Sequence, residues 1–262
     1  LLYSVCGTAQ AQASALAIEQ ALGLASAPAV VAAREMLLWL ETAREHLWRI
    51  MIDWPALLQE QSAKQRLGPL MRLLPDARRA LFADAEAFLP GAVLALDTAL
   101  IAQVLETLEV SLQREVFGCS SGQWLSMTEP DAIEAWIDRG LTPAARLLRR
   151  LQENGWADMG ASRVAALPLL DNALLSRRFS ADDAVDFISR PTWQGQVYET
   201  TPLARQLERR PIAEMAASHG NGLATRLLAR LSELAQIPAD LRRRLDRLGS
   251  TADNVTAEVP TL

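Results

Sequence analysis

Between Met36 and Trp54, apolar residues recur at alternating steps of four and three: Met36, Leu40, Ala43, Leu47, Ile50 and Trp54. Only an α-helix gathers such a series on one face. Thr42, Glu45, Arg49 and Asp53 fall on the other side, so the run predicts a long amphipathic helix. Pro28 opens it, and Pro55, which lacks an N–H and crowds the preceding turn, disturbs or ends it. Such a stripe must be covered by other elements. The rest of the chain has the means: half of the 262 residues are hydrophobic, only 5% are aromatic, and Ala and Leu dominate. That mixture favours helices, and the length suffices for a sizeable core.

Other segments read the same way. A plain helix runs from Gly7 to Leu24 and ends near Gly23. Residues 60–76, with Gly68, Pro69 and Pro75, read as a connector, followed by helices over Asp76–Phe88 and Gly91–Val116. The stretch "FGCSSGQWLSM" reads as irregular. Thr128 before Pro130 and Thr142 before Pro143 cap the next two helices, and Ser180 with Asp183 caps "ADDAVDFIS". Thr201–Pro202 opens another helix, and the closing "GLATRLLARLSELAQIPADLRRRLDRLG" is helical with a break at Pro238. Only "RPTWQGQVYET" has the β-branched, aromatic and glycine mixture of a short hairpin, near 190–200. The expectation is a mainly α, multi-helix single domain over residues 1–262.

Charge and cysteine usage exclude several classes. Lys and Arg total 26 against 31 for Asp and Glu, a net charge of −5. There is no cationic surplus of the kind that nucleic acid requires. No stretch is long and apolar enough to span a bilayer, and no signal peptide is visible, so neither membrane insertion nor secretion is expected. Two cysteines make no disulfide framework and suggest a reducing, cytoplasmic setting. The abrupt ends "LLYSVCG" and "AEVPTL" suit a chain trimmed at both ends.

Few residues carry chemistry. Cys6 stands at a helix start and has two readings. It is a small buried hydrophobe, or a thiol whose thiolate form is favoured by the helix N-terminus and which ligates a metal. Tetrahedral zinc would need three more ligands, and the further soft or imidazole donors are Cys119, His46 and His219, without zinc-type spacing. His46 lies beside Ala43 and Ile50, as a core histidine does. Cys119 reads as a free thiol in a Gly/Ser loop, and "RRRLDR" as a solvated helix face.

Several segments together resemble the large subunit of nickel–iron hydrogenases. "VCGTAQAQASALAIEQALG" is similar to that family's first cysteine motif, Cys-Gly-x-Cys, and its following helix. "REHLWRIMIDWP" resembles a family helix, with Glu45-His46 at its Asp-His and Asp53-Trp54 at its Asp-Trp. "PTWQGQVYETTPLARQ" resembles the segment "Y.G.PyEvGPLAR", with Glu199, Pro202, Leu203, Ala204 and Arg205 in place, and "LATRLLARLSEL" matches the next helix loosely. These pieces occur in the family's order and span most of the chain.

The departures from that pattern are informative. In the family the first Cys of each pair is a terminal nickel ligand and the second bridges nickel and iron. Cys6 takes the terminal position, whereas the bridging position is Ala9, whose methyl group cannot ligate. The arginine before the first Cys is replaced by Ser4 and Val5, and the C-terminal Cys pair and its His are missing. A large-subunit body without the ligand set resembles HupK/HoxV-type proteins, which act in hydrogenase maturation rather than turnover; "CGTAQAQA" and "FGCSSGQWL" resemble that group specifically.

The resemblance implies a non-catalytic scaffold on which a transient iron cyanide/carbonyl fragment is assembled or held, with no complete nickel–iron site. Implied partners are hydrogenase accessory proteins, a small iron-carrying chaperone and the hydrogenase large-subunit precursor. Two alternatives stand beside it: a metal-free structural adaptor, and a catalytic hydrogenase subunit, against which Ala9 weighs. Cys6 is the implied metal ligand, and Cys6 and Arg205 the cofactor-binding candidates. Glu199 and Arg205 also read as a structural ion pair or a capped helix start.

Overall fold

A computed structural model describes residues 5–83 and 86–256, with the side chains of 249–256 outside the description. Leu1–Ser4 and residues 257–262, where the two chain ends and Ser4 were read, therefore lie outside the described residues. Those described form helices joined by short connectors, with isolated β-bridges but no strand. They fall into two compact units. The first draws on residues up to Met127, on Glu134–Leu147 and on residues from Leu234 onward; the second on Thr128–Ile133 and Leu148–Glu233.

In the first unit, α1 (Gly7–Ala21) packs on α2 (Pro28–Trp48). The expected stripe is the core of the unit: Met36, Leu40, Ala43, Leu47 and Ile50 are fully buried and Trp54 nearly so. Each large aliphatic side chain withdrawn in this way contributes roughly 1.5–3 kcal/mol. Pro55 does disturb the helix. A π-turn over Arg49–Asp53 precedes a last short helix, α3 (Trp54–Leu57). The carbonyl of Met51, which an N–H at position 55 would have satisfied, accepts from Ala63 N–H at 3.1 Å instead.

Next, α4 (Gly68–Leu81) packs against both α2 and α5 (Thr98–Leu112), whose N-cap Asp97 accepts from Leu100 N–H at 2.9 Å. The expected connector over 60–76 is therefore mostly helix, and Pro75 sits inside it. Its apolar face, Leu70, Leu73, Leu74, Ala77 and Leu81, is buried on both sides of the proline, while Met71 and Pro75 are exposed. Burial outweighs the lost hydrogen bond.

The stretch after Phe117 is also more regular than its composition suggests. Gly118 takes φ +70°, and Ser120 and Gln123 form a reciprocal capping box opening α6 (Ser121–Leu125). Trp124 there lies between Phe117, whose tilted ring has its centroid 5.0 Å away, and Trp136, which meets it edge-on at 5.8 Å.

Helices α7 (Pro130–Arg139) and α8 (Pro143–Glu153) both begin at the expected prolines. Thr142 caps α8, its Oγ1 accepting from Ala145 N–H at 3.3 Å, whereas at α7 it is the Glu129 carbonyl, not Thr128, that accepts from the Ala132 and Ile133 N–H groups at 3.1 and 3.4 Å. The second unit then adds α9 (Asn172–Phe179), α10 (Ala184–Ser189), α11 (Pro202–Gln206) and α12 (Arg210–His219). Ser180 does not cap α10, because its hydroxyl donates to the Ser176 carbonyl; Asp183 precedes the helix and pairs with Arg178. Finally α13 (Leu223–Thr256) supplies residues to both units and runs unbroken through Pro238, with Ile237 and Leu241 fully buried beside it.

The expected hairpin near 190–200 is absent. Gln194 and Gly195, at φ +50° and +74°, do make a tight turn, and Trp193 and Gln196 exchange both backbone hydrogen bonds. The next hydrogen-bonded pair of such a ladder is 191 with 198, and Pro191 has no N–H to give. The chain turns elsewhere: Glu199 N–H donates to the Ala165 carbonyl at 2.8 Å, and Leu167 N–H to the Glu199 carbonyl at 3.0 Å. No described helix is long and apolar enough to cross a membrane.

Candidate functional site

Cys6 occupies the N-cap position of α1 and is exposed. Its carbonyl accepts from Gln10 N–H at 3.0 Å, but its side chain caps nothing. The exposed position corrects the reading of Cys6 as a buried hydrophobe.

The first turn of a helix leaves N–H groups that attract an anion. Here that anion is built in. Glu41 of α2, itself buried, accepts from Thr8 N–H at 2.8 Å and from Ala9 N–H at 3.0 Å. The N-terminal end offered to a thiolate by the sequence is thus engaged by a carboxylate from the neighbouring helix. Sequence reasoning did not find Glu41. The available signal was indirect: α1 starts without Ser, Thr, Asp or Asn at its cap, so its N–H groups must be satisfied from elsewhere.

A second buried acid–base pair holds α1 further along. Arg34 of α2, almost wholly buried, donates from Nη1 to Glu19 Oε2 at 3.0 Å, and from Nε and Nη2 to the carbonyls of Ala87 and Leu89 at 2.6 and 3.0 Å. Hydrogen bonding to Arg34 holds the Glu19 carboxyl below the usual carboxylate range, although burial opposes this. Thr8, Ala15 and Glu19 are the buried residues of α1, so this helix is positioned largely by polar contacts.

The remaining donors are spread over both units. His46 is buried on α2, in keeping with a core histidine, and His219 ends α12 in the second unit. Cys119 is half-buried just after Gly118. Burial pushes its thiol up, an effect that the positive charge of Arg139 only partly offsets, so this sulfur favours the neutral thiol. Among the described residues, no three His, Cys, Asp or Glu side chains come together as a metal would require. Cys6 offers one sulfur and Ala9 a methyl group, so the residues present do not fit a resident bimetallic centre.

The segment 199–205 is anchored on one face of α13. Arg226 binds Glu199 bidentately, Nε to Oε1 at 3.0 Å and Nη2 to Oε2 at 2.9 Å, and Thr201 Oγ1 adds a 2.5 Å bond to Oε1. The hydrogen bond from Arg226 is the main reason that the Glu199 carboxyl lies below its ordinary range. Seven residues along α13, two turns later and on the same face, Glu233 receives Arg205: Nε to Oε1 at 2.5 Å and Nη2 to Oε2 at 3.1 Å. Arg205 Nη1 donates to the Thr200 carbonyl at 3.1 Å. The two pairs have opposite polarity, so sliding the segment along the helix would set like charges together. Glu199 and Arg205 thus form structural ion pairs, each with α13 and not with one another.

No protein-family model matches the chain, and no solved structure matches it. Among curated proteins, it is similar to the hydrogenase expression/formation protein HoxV of Cupriavidus necator, with 29% identity over 267 aligned residues. The likeness takes in 100% of this chain and 62% of that protein, so the chain spans less than two thirds of the length of its relative. It agrees with the resemblance carried by the cysteine motif and by "FGCSSGQWL".

Proposed function

We propose that this chain acts in nickel–iron hydrogenase formation as a non-catalytic helical scaffold, with a body related to the large subunit. On it the iron cyanide/carbonyl fragment is assembled or held before transfer. The observation that supports this reading most is the likeness, along the whole of this chain, to a hydrogenase expression/formation protein. The iron fragment is cargo here and not a resident cofactor. Cys6 is its thiolate ligand: an exposed sulfur without a bridging partner at Ala9 holds a metal fragment by one protein bond and can give it up.

Arg205, in the second unit, is a separate candidate for holding an anionic part of such cargo. Of its five N–H donors, two serve Glu233 and one serves Thr200, which leaves two for an anionic group such as cyanide. A small iron-carrying chaperone and the large-subunit precursor are the partners that such a role requires.

A second reading, a metal-free adaptor that binds accessory proteins, is favoured by one observation: Glu41 engages the first turn of α1 beside Cys6. Infrared spectra of the protein, purified anaerobically from cells expressing the whole maturation pathway, separate the two. Cyanide and carbonyl stretches that vanish in Cys6→Ala are expected for a scaffold with this thiol as ligand. Bands that persist in the variant would remove Cys6 from the role, and a wild type without bands but with accessory proteins bound would leave the adaptor.

A further inference from the structure

From residue 152 to residue 202 the second unit buries a single side chain, Phe187. Apolar burial is what ordinarily makes a segment expensive to open, and segments without it open locally. This stretch is nevertheless ordered into α9 and α10, which pack on each other through the edge-to-face contact of Phe179 with Phe187, centroids 5.6 Å apart. Something other than a core must close it.

The closure converges on the first turns of α13. Leu223 and Ala224, whose N–H groups have no partner within the helix, donate to the carbonyls of Met159 and Ala157 at 2.9 and 3.0 Å. Gly222 permits this approach, since a Cβ there would come within 2.5 Å of the Ala157 carbonyl oxygen. Arg226 then takes hold of both ends of the excursion with one guanidinium. Nη1 donates to the Gly160 carbonyl at 2.9 Å and Nη2 to Ser162 Oγ at 3.3 Å, at the outgoing end. Nε and Nη2 hold Glu199 at the returning end. The Ala165–Leu167 bridge to Glu199 lies directly beside this grip.

We propose that residues 163–198 form an arm that opens and closes as one body on the second unit, with Arg226 as its clasp and Glu199 as the residue released on opening. When closed, the arm is held by charge-assisted hydrogen bonds and a two-bond backbone bridge. When open, it gives up almost no apolar contact beyond that of Phe187, and α9 and α10, with so little burial of their own, fray and expose their amides to solvent. The inference rests on the geometry of the second unit alone and is independent of the role proposed for Cys6.

Hydrogen–deuterium exchange of the full chain tests it. In Glu199→Gln, peptides within 163–198 are expected to exchange about tenfold faster, because a charge-assisted bidentate pair is replaced by a neutral contact. Peptides from α4 and α5 should be unchanged. Unchanged exchange of 163–198 in Glu199→Gln would overturn the proposal, as would acceleration of the arm and of α4 and α5 to the same degree. Raising sodium chloride from 0.05 M to 1 M on the wild type is a check free of any folding defect. It should quicken exchange in the arm more than in α4 and α5, since the arm is closed by the partly exposed Arg226 pair, which salt screens, whereas those helices are held by apolar burial. Equal exchange of the arm at both salt concentrations would contradict the clasp.

Discussion

The two units of this chain are stabilised by different means. In the first, α2 places a continuous apolar stripe against α1, α4 and their neighbours, and even its buried charges, Glu19, Arg34 and Glu41, are enclosed by that packing. In the second, Leu203, Ile212 and the early turns of α13 make a smaller core, while residues 152–202 are held mainly by arginine–carboxylate and backbone hydrogen bonds. Apolar burial is insensitive to salt and to mild acid, whereas ion pairs respond to both. One chain therefore combines a body that should unfold cooperatively with a part that should loosen first.

The sharpest way to break that contrast is a cavity in the first unit. Leu40 is fully buried in the middle of the stripe, and Leu40→Ala should lower stability by about 2–5 kcal/mol, read as a fall in the urea midpoint. The loss should be global, taking α2, α4 and α5 together. A variant whose urea midpoint stays at the wild-type value would mean that the stripe is not the core.

Next in size is the capping carboxylate. Glu41→Ala removes the acceptor for the Thr8 and Ala9 N–H groups and should cost about 1–2 kcal/mol. Its effect should centre on the first turn of α1, so amide exchange there should rise more than at Glu19, where the Arg34 pair still holds the helix. Equal protection of that turn in variant and wild type would show that Glu41 is not its cap. The same variant bears on the proposed role of Cys6, because it leaves the adjoining N–H groups available to another anion.

The contrast between the units also explains which parts of the fold were legible in the sequence. The α2 stripe was readable residue by residue because burial and periodicity coincide. Pro75 and Pro238 were over-read as breaks, since a lost hydrogen bond is visible in a sequence while the tertiary burial that outweighs it is not. Helix α9 went unread for the opposite reason: none of its residues is buried, so it carries no core-facing stripe. The Pro191 that ends the hairpin ladder was on view, but the register that makes it decisive was not. At the candidate site, Cys6 at a helix start was legible from "VCGTAQ", whereas Glu41 was not, because a cap supplied from 32 residues away leaves no local motif. The partners of Glu199 and Arg205, Arg226 and Glu233, are likewise distant in sequence.

The smallest effect, and the most specific to the second unit, is its response to acid. The Arg226 guanidinium holds the Glu199 carboxyl below its ordinary value, so the folded arm prefers the ionised form more strongly than the open chain does. The stabilisation is then fully present above the unfolded carboxylate pKa, near about 4.3, and is lost as pH falls through the lower folded value. Glu199→Gln has no such proton to take up. Pepsin, active across this range, should cut the arm of Glu199→Gln faster than that of the wild type at pH 5, and the ratio of the two rates should shrink towards unity as pH falls below 4. Taking the ratio at each pH cancels the protease's own pH profile. A ratio that stays constant from pH 5 to pH 2.5 would show that Glu199 does not close the arm, and that the second unit is held by contacts as indifferent to acid as those around Leu40.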